Sequence, residues 1–228
     1  MRMSLAGPIV LSLLTVCSAV SAEVEAPDSA AGAIDRVAMA DPPSEIGDFE
    51  LIDQGGNAFS LAELRRRPAL VFFGFTHCVD VCPLTLQQLW LVTAAPGASL
   101  PGLAVVMISV DGDRDTPARM KSFLAAWSPN FIGLTGDPRL VRRLAARFRA
   151  VFFRGLPDDP AGSYEVQHTS QVYLVDAGGR LRATFFDAPP EMIARSTRLL
   201  LCGSEQRLPE VPGADPCERS LEPTRPSR

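Results

Sequence analysis

The chain has 228 residues, of which 46% are hydrophobic and 21% charged, with 17 Gly, 20 Pro and a formal charge of −4. That make-up fits one soluble domain with appendages, and argues against a multi-span membrane protein, a coiled coil or a wholly disordered chain. A slightly acidic chain is a poor general binder of nucleic acid. Two histidines in the whole chain exclude a His-rich metal centre and any mechanism that needs a third imidazole.

Residues 1–22 read as a signal peptide or N-terminal anchor. Arg2 is a minimal basic start, Leu5–Val16 is apolar, and Val20-Ser21-Ala22 offers the small-residue pattern of a cleavage site. The uncharged run from Met3 to Ala22 is also about the ~20 residues that span a bilayer. Leu14-Thr15-Val16-Cys17 loosely resembles a bacterial lipobox, though Val16 is large for it. Each version sends the domain out of the cytoplasm, to the periplasm, where cysteine pairs can oxidise. Residues 23–45 are rich in Ala, Asp, Pro and Ser and read as a flexible linker. The folded domain is expected over 46–203, followed by a Pro-rich tail over 204–228.

Within the domain, Phe49–Ile52 and Ala58–Leu61 flank a Gly-rich turn and suggest an N-terminal hairpin. Ala69–Phe75 is continuously apolar, as in a strand covered on both faces, and Leu103–Val110 is a second such run. Thr116-Pro117 signals a helix start, with Met120, Phe123, Leu124 and Trp127 on one face. Asp137-Pro138 repeats the signal, with Leu140, Leu144 and Phe148 as the apolar stripe. Gln171–Val175 and Arg180–Phe186 make a closing hairpin, and Pro190–Leu201 a last helix. Strand, helix, strand, helix, hairpin, helix is an α/β thioredoxin-like order: a central mixed sheet flanked by helices, here with an N-terminal β-hairpin extension.

Directly after the first buried strand stand Cys78 and Cys82. Four residues apart, they share a face one turn apart if helical. In a loop feeding a helix, both thiols lie at its positive N-terminus, which favours thiolate. Either arrangement suits one soft metal ion or one disulfide; two inert buried cysteines are the bland alternative. His168 precedes the strand Gln171–Val175, and in a thioredoxin-like sheet that loop faces the cysteine loop. His77 abuts Cys78, but its side chain points away from its neighbour, so a supporting or packing role is expected. Cys202 and Cys217, separated by 14 residues, could pair in an oxidising compartment and tie the tail to the last helix.

Phe73-Gly74-Phe75-Thr76-His77-Cys78 through Cys82-Pro83-Leu84-Thr85-Leu86 resembles the signature of the Sco/SenC family. Ile108–Asp111 with Arg114–Pro117, then Phe131–Gly136, then His168 with Tyr173–Asp176 resemble its further blocks, in order. Val79 departs from the pattern, where a proline is usual. The resemblance implies a thioredoxin-like, exported or anchored protein that holds copper through Cys78, Cys82 and His168. It also implies a role in assembling the dinuclear copper centre of cytochrome c oxidase, and a Cys78/Cys82 pair that is redox-active. The implied partners are the copper-bearing oxidase subunit or another copper acceptor, a copper donor and a thiol reductant. Two thiolates favour Cu(I), while imidazole also accommodates Cu(II). The competing reading is a thiol–disulfide oxidoreductase. Against it stand three residues between the cysteines instead of two, and His168-Thr169-Ser170-Gln171 where such enzymes carry a cis-proline. A peroxidase of the peroxiredoxin sort is a more distant rival, and no conventional catalytic residues are assigned.

Overall fold

The computed structural model describes residues 36–65, 67–94, 102–156 and 164–202. The expected signal segment, residues 23–35 of the linker, the tail over 204–228 and Cys217 lie outside them. The first half of the domain comprises β1 (Val37–Glu45), β2 (Glu50–Asp53), β3 (Ala58–Ser60), α1 (Leu61–Leu64), β4 (Ala69–Gly74), α2 (Val81–Ala94) and β5 (Ala104–Ser109). The second half comprises α3 (Pro117–Ala125), β6 (Ile132–Thr135), α4 (Pro138–Arg147), β7 (Phe152–Arg154), β8 (Val166–His168), β9 (Val172–Val175), β10 (Arg180–Phe185) and α5 (Pro190–Cys202).

Eight strands form one mixed sheet in the order β1-β10-β9-β4-β5-β6-β2-β3. β4 and β5 are buried at every position and run parallel, from Ala69 opposite Ala104 to Gly74 opposite Ser109. Their unbroken apolar character follows from helices on both faces. Val71 and Phe73 point into one core layer with Leu61 and Leu64 of α1 and Val141 and Leu144 of α4. Leu70 and Phe72 point into the other, with Leu86 of α2, Met120 of α3 and Ile193 of α5. β9 lies antiparallel to β4, so the closing hairpin completes the thioredoxin-like sheet, and the β2–β3 hairpin extends the far edge as expected.

The helix starts are where the caps put them. The Thr116 side chain accepts from Arg119 N at 3.3 Å, and that of Asp137 from Arg139 N at 2.7 Å. Ser60 and Glu63 close a capping box on α1, so Leu61 begins a helix instead of ending a strand.

Three features depart from the sequence reading. The second half of the expected linker is β1, antiparallel to β10, with a register shift between Met39 and Ser44. Pro42 and Pro43 hide the strand, yet an edge strand tolerates prolines because its outer side needs no ladder. In α4, Leu144 and Phe148 of the expected stripe are buried, but Leu140 is 41% exposed and Val141 takes its place on the inward face. The third is a separate two-stranded sheet of β7 and β8, pairing Phe152 with His168 and Arg154 with Val166.

Candidate metal centre

β4 ends at Gly74 and the chain turns over Phe75–Cys78, closed by Cys78 N donating to Phe75 O at 3.2 Å. Cys78 therefore sits in the loop and Cys82 in the first turn of α2, one turn of chain later. The Cys82 N–H, one of the unpaired donors at the helix start, points at Cys78 Sγ at 3.3 Å. Cys82 is fully buried and Cys78 partly so, and both are free thiols.

Room for the Cys82 thiol depends on a missing side chain: a Cβ at Gly74 would lie 2.8 Å from its Sγ. Burial pushes the Cys82 thiol well above the ordinary range, and the nearby Cys78 thiol and Asp115 carboxylate add to the rise. The expectation that the helix start would favour thiolate is thus outweighed at Cys82, because desolvation opposes the charged form.

His168 arrives from the other side, at the end of β8. Its Nδ1 lies 3.0 Å from the Thr169 carbonyl oxygen. A carbonyl only accepts, so Nδ1 carries the proton and Nε2 is left with a free lone pair. That nitrogen is 3.5 Å from Cys82 Sγ. Phe75 meets the imidazole edge to face, with centroids 5.6 Å apart. Burial pushes the His168 pKa below its ordinary value, against the opposing pull of its backbone hydrogen bonds, so the ring is neutral at pH 7. The donor atoms of Cys78, Cys82 and His168 all lie within 4.8 Å of one another. Two soft thiols and one neutral imidazole fit a soft monovalent or borderline divalent ion, and do not close the four-ligand shell of a structural zinc.

All three expected ligands are therefore brought together. His77 is not among them. Its Nδ1 faces Asp115 Oδ1 at 3.8 Å and Thr76 Oγ1 at 3.4 Å, in line with the supporting role expected of it. Cys202 ends α5 and is disulfide-bonded, far along the chain from the cluster.

A model of the family described as SCO1/SenC matches residues 37–201. The chain belongs to the SCO1/SenC family. The SCO2-like protein of Rickettsia felis is 36% identical over 148 residues, covering 64% of this chain and 72% of the relative. Protein SenC of Rhodobacter capsulatus is 35% identical over 156 residues, 68% of this chain and 70% of the relative. Among solved structures, copper-bound Bradyrhizobium japonicum ScoI superposes with a TM-score of 0.61 at 35% identity, covering 68% of this chain and 98% of that one. Copper-bound yeast Sco1 gives 0.59 at 29% identity, covering 68% and 86%. The SCO1/SenC match begins at β1, which agrees with that strand being part of the domain.

The residues that support the cluster had no role assigned from sequence alone. Asp115 is fully buried and accepts from Thr76 N at 3.0 Å, Thr76 Oγ1 at 2.6 Å and Ser109 Oγ at 2.7 Å. Tyr164 is buried and donates to Asp111 Oδ1 at 2.6 Å. The available signal was two carboxylates four residues apart straight after a buried strand, a costly arrangement unless each has partners.

Proposed function

We propose that this SCO1/SenC protein is an exported copper metallochaperone that helps assemble the dinuclear copper centre of cytochrome c oxidase. Copper is its cargo, held by Cys78, Cys82 and His168. The observation that carries the reading is the convergence of those three donors, with the His168 Nε2 lone pair turned toward the thiols and three protein ligands among the described residues. A three-ligand site leaves a side from which an acceptor's cysteine or histidine can take the ion. The two copper-bound relatives support the choice of metal.

The thiols must be reduced to bind. Joining Cys78 and Cys82 in a disulfide removes two electrons and two protons to an external oxidant, and loading then requires a thiol reductant. That makes the oxidised pair an unloaded state. A dedicated thiol–disulfide exchanger is disfavoured by the three residues between the cysteines and by His168-Thr169-Ser170-Gln171 standing where such enzymes carry a cis-proline.

Metal analysis of freshly reduced protein tests the reading, with one copper per chain expected. Cys78→Ser or Cys82→Ser should abolish tight Cu(I) binding and the thiolate-to-Cu(II) absorption. His168→Ala should keep some Cu(I) while Cu(II) becomes labile. Insulin-type disulfide reduction that depends on both cysteines but not on His168, with no copper bound by the reduced parent, would overturn it. For export, the expected mature N-terminus is Glu23 in the soluble periplasmic fraction; intact mass retaining residues 1–22, found only in membranes, would show an anchor instead.

A further inference from the structure

The two halves of the copper site come from separate parts of the fold. The cysteines belong to the main sheet, at the junction of β4 and α2. His168 belongs to the small β7–β8 sheet. The halves touch directly, through His168 Nε2 beside Cys82 Sγ and Phe75 against the imidazole, and the loop after β5, residues 111–115, grips both.

Toward the cysteines, Asp115 holds the backbone and hydroxyl of Thr76, two residues before Cys78. Arg119 Nε donates to the same hydroxyl at 2.7 Å. Toward the histidine, the Asp111 carboxylate accepts from Tyr164 OH. The guanidiniums of Arg114 and Arg154 lie 3.8 and 3.7 Å from the Tyr164 ring centroid. Arg114 Nη1 donates to Tyr164 O at 3.2 Å, and Asp113 pairs with Arg154 at the end of β7.

The loop is itself stiff. Arg114 N and Asp115 N both donate to Asp111 O, at 3.0 and 2.9 Å, and Thr135 Oγ1 donates to Asp115 O at 2.7 Å. At Gly112 a Cβ would lie 2.3 Å from Gly136 O, so two backbones meet there with no room for a side chain.

We propose that the Asp111–Asp115 loop is a brace that sets the spacing between the two-thiol half and the imidazole half of the site, with Asp115 and Tyr164 as its positioning residues. The proposal rests on the reading of Cys78, Cys82 and His168 as one copper site. A buried carboxylate network is costly to leave half satisfied, so the loop transmits a change at one end instead of absorbing it. The two halves should therefore be coupled through it, although neither Asp115 nor Tyr164 is among the three metal-binding residues.

The experiment compares Asp115→Asn and Tyr164→Phe with Ser60→Ala, a cap on α1 away from the loop that serves as a control for lost stability. Two readouts need no metal: the rate of Cys78 alkylation, and the NMR signals of the His168 ring in reduced copper-free protein. The third is the thiolate-to-Cu(II) absorption spectrum of the loaded chain. Each brace variant should move the readout of the other half. Asp115→Asn should shift the His168 ring signals, and Tyr164→Phe should change Cys78 alkylation several-fold. Tyr164→Phe should also release Cu(II) faster while retaining Cu(I), with little change in the control. If Asp115→Asn does not fold, Thr76→Val removes the same hydroxyl link. The brace is overturned if each variant affects only its own half, or if Ser60→Ala moves the same signals equally. A parent chain that binds no copper would overturn the copper reading alone, and the copper-free readouts would still decide the brace.

Discussion

Cys82 concentrates the opposing forces in the site. Its backbone N–H serves Cys78 Sγ, while its own thiol is pushed toward the protonated form by burial. Copper must displace that proton, whereas His168, whose pKa burial lowers, is already neutral at pH 7. The Cys82 thiol therefore gives up a proton on binding across the neutral range, and apparent Cu(I) affinity should rise with pH. The rise should be about ten-fold per pH unit for each proton displaced, measured by competition with a Cu(I) chelator between pH 6 and 8. His168 joins the competition only at acid pH, below its lowered pKa. A pH-independent affinity in that window would contradict a protonated Cys82. Gly74 bears on the same atom. Gly74→Ala should force Cys82 Sγ from its place and cost about 1–3 kcal/mol by overpacking, read as a lower urea midpoint together with weakened Cu(I) binding.

Two elements carry the ligands, and they differ in how plainly the sequence announces them. The β4–α2 unit is legible because Ala69–Gly74 is apolar at every residue and the cysteines follow at once. β8 is not: Val166-Gln167-His168 is three residues long, shows no alternation to count, and is ordered by pairing with Phe152–Arg154 and by the buried Tyr164. β1 escapes for a different reason, since its prolines and its polar outward residues are what an edge strand accepts and what a linker also contains. The hidden parts thus depend on tertiary pairing, which no local pattern encodes. α3 and α4 were announced by their caps, and the caps are testable. Thr116→Ala removes the acceptor for Arg119 N and should cost about 1 kcal/mol, lowering Tm by roughly 2–4 °C without abolishing copper binding. At the end of α5, Cys202 is disulfide-bonded. Non-reducing peptide mapping should find it linked to Cys217, with Cys78 and Cys82 free after mild reduction. In the chain-entropy model a loop of that size stabilises by ~3 kcal/mol. A free thiol at Cys202 or Cys217 would end the idea.

Across the fold, the site lies at the end of β4, with Cys78 packed against one core and the helix that carries Cys82 packed into the other. Phe73, Phe148 and Tyr173 form an aromatic cluster with centroids 5.2–6.0 Å apart, just below the end of β4 from which the cysteine loop departs. Copper bound by Cys78, Cys82 and His168 would link β4, α2 and β8, joining the main sheet to the small one, and the unfolded chain offers no such preformed set. Binding should therefore stabilise the whole domain by linkage. At a free ion concentration 100 times the dissociation constant the gain is about 2.7 kcal/mol, or roughly 5–10 °C in Tm for a domain of this size. The shift should appear on adding Cu(I) to the reduced chain and vanish in Cys78→Ser or Cys82→Ser. It should vanish equally in the parent oxidised at Cys78–Cys82, because the disulfide takes both soft ligands away. Calorimetric scans of the reduced and oxidised chain, each with and without copper, separate the cases. An oxidised chain that gains as much from copper as the reduced one would show that the thiols are not the ligands.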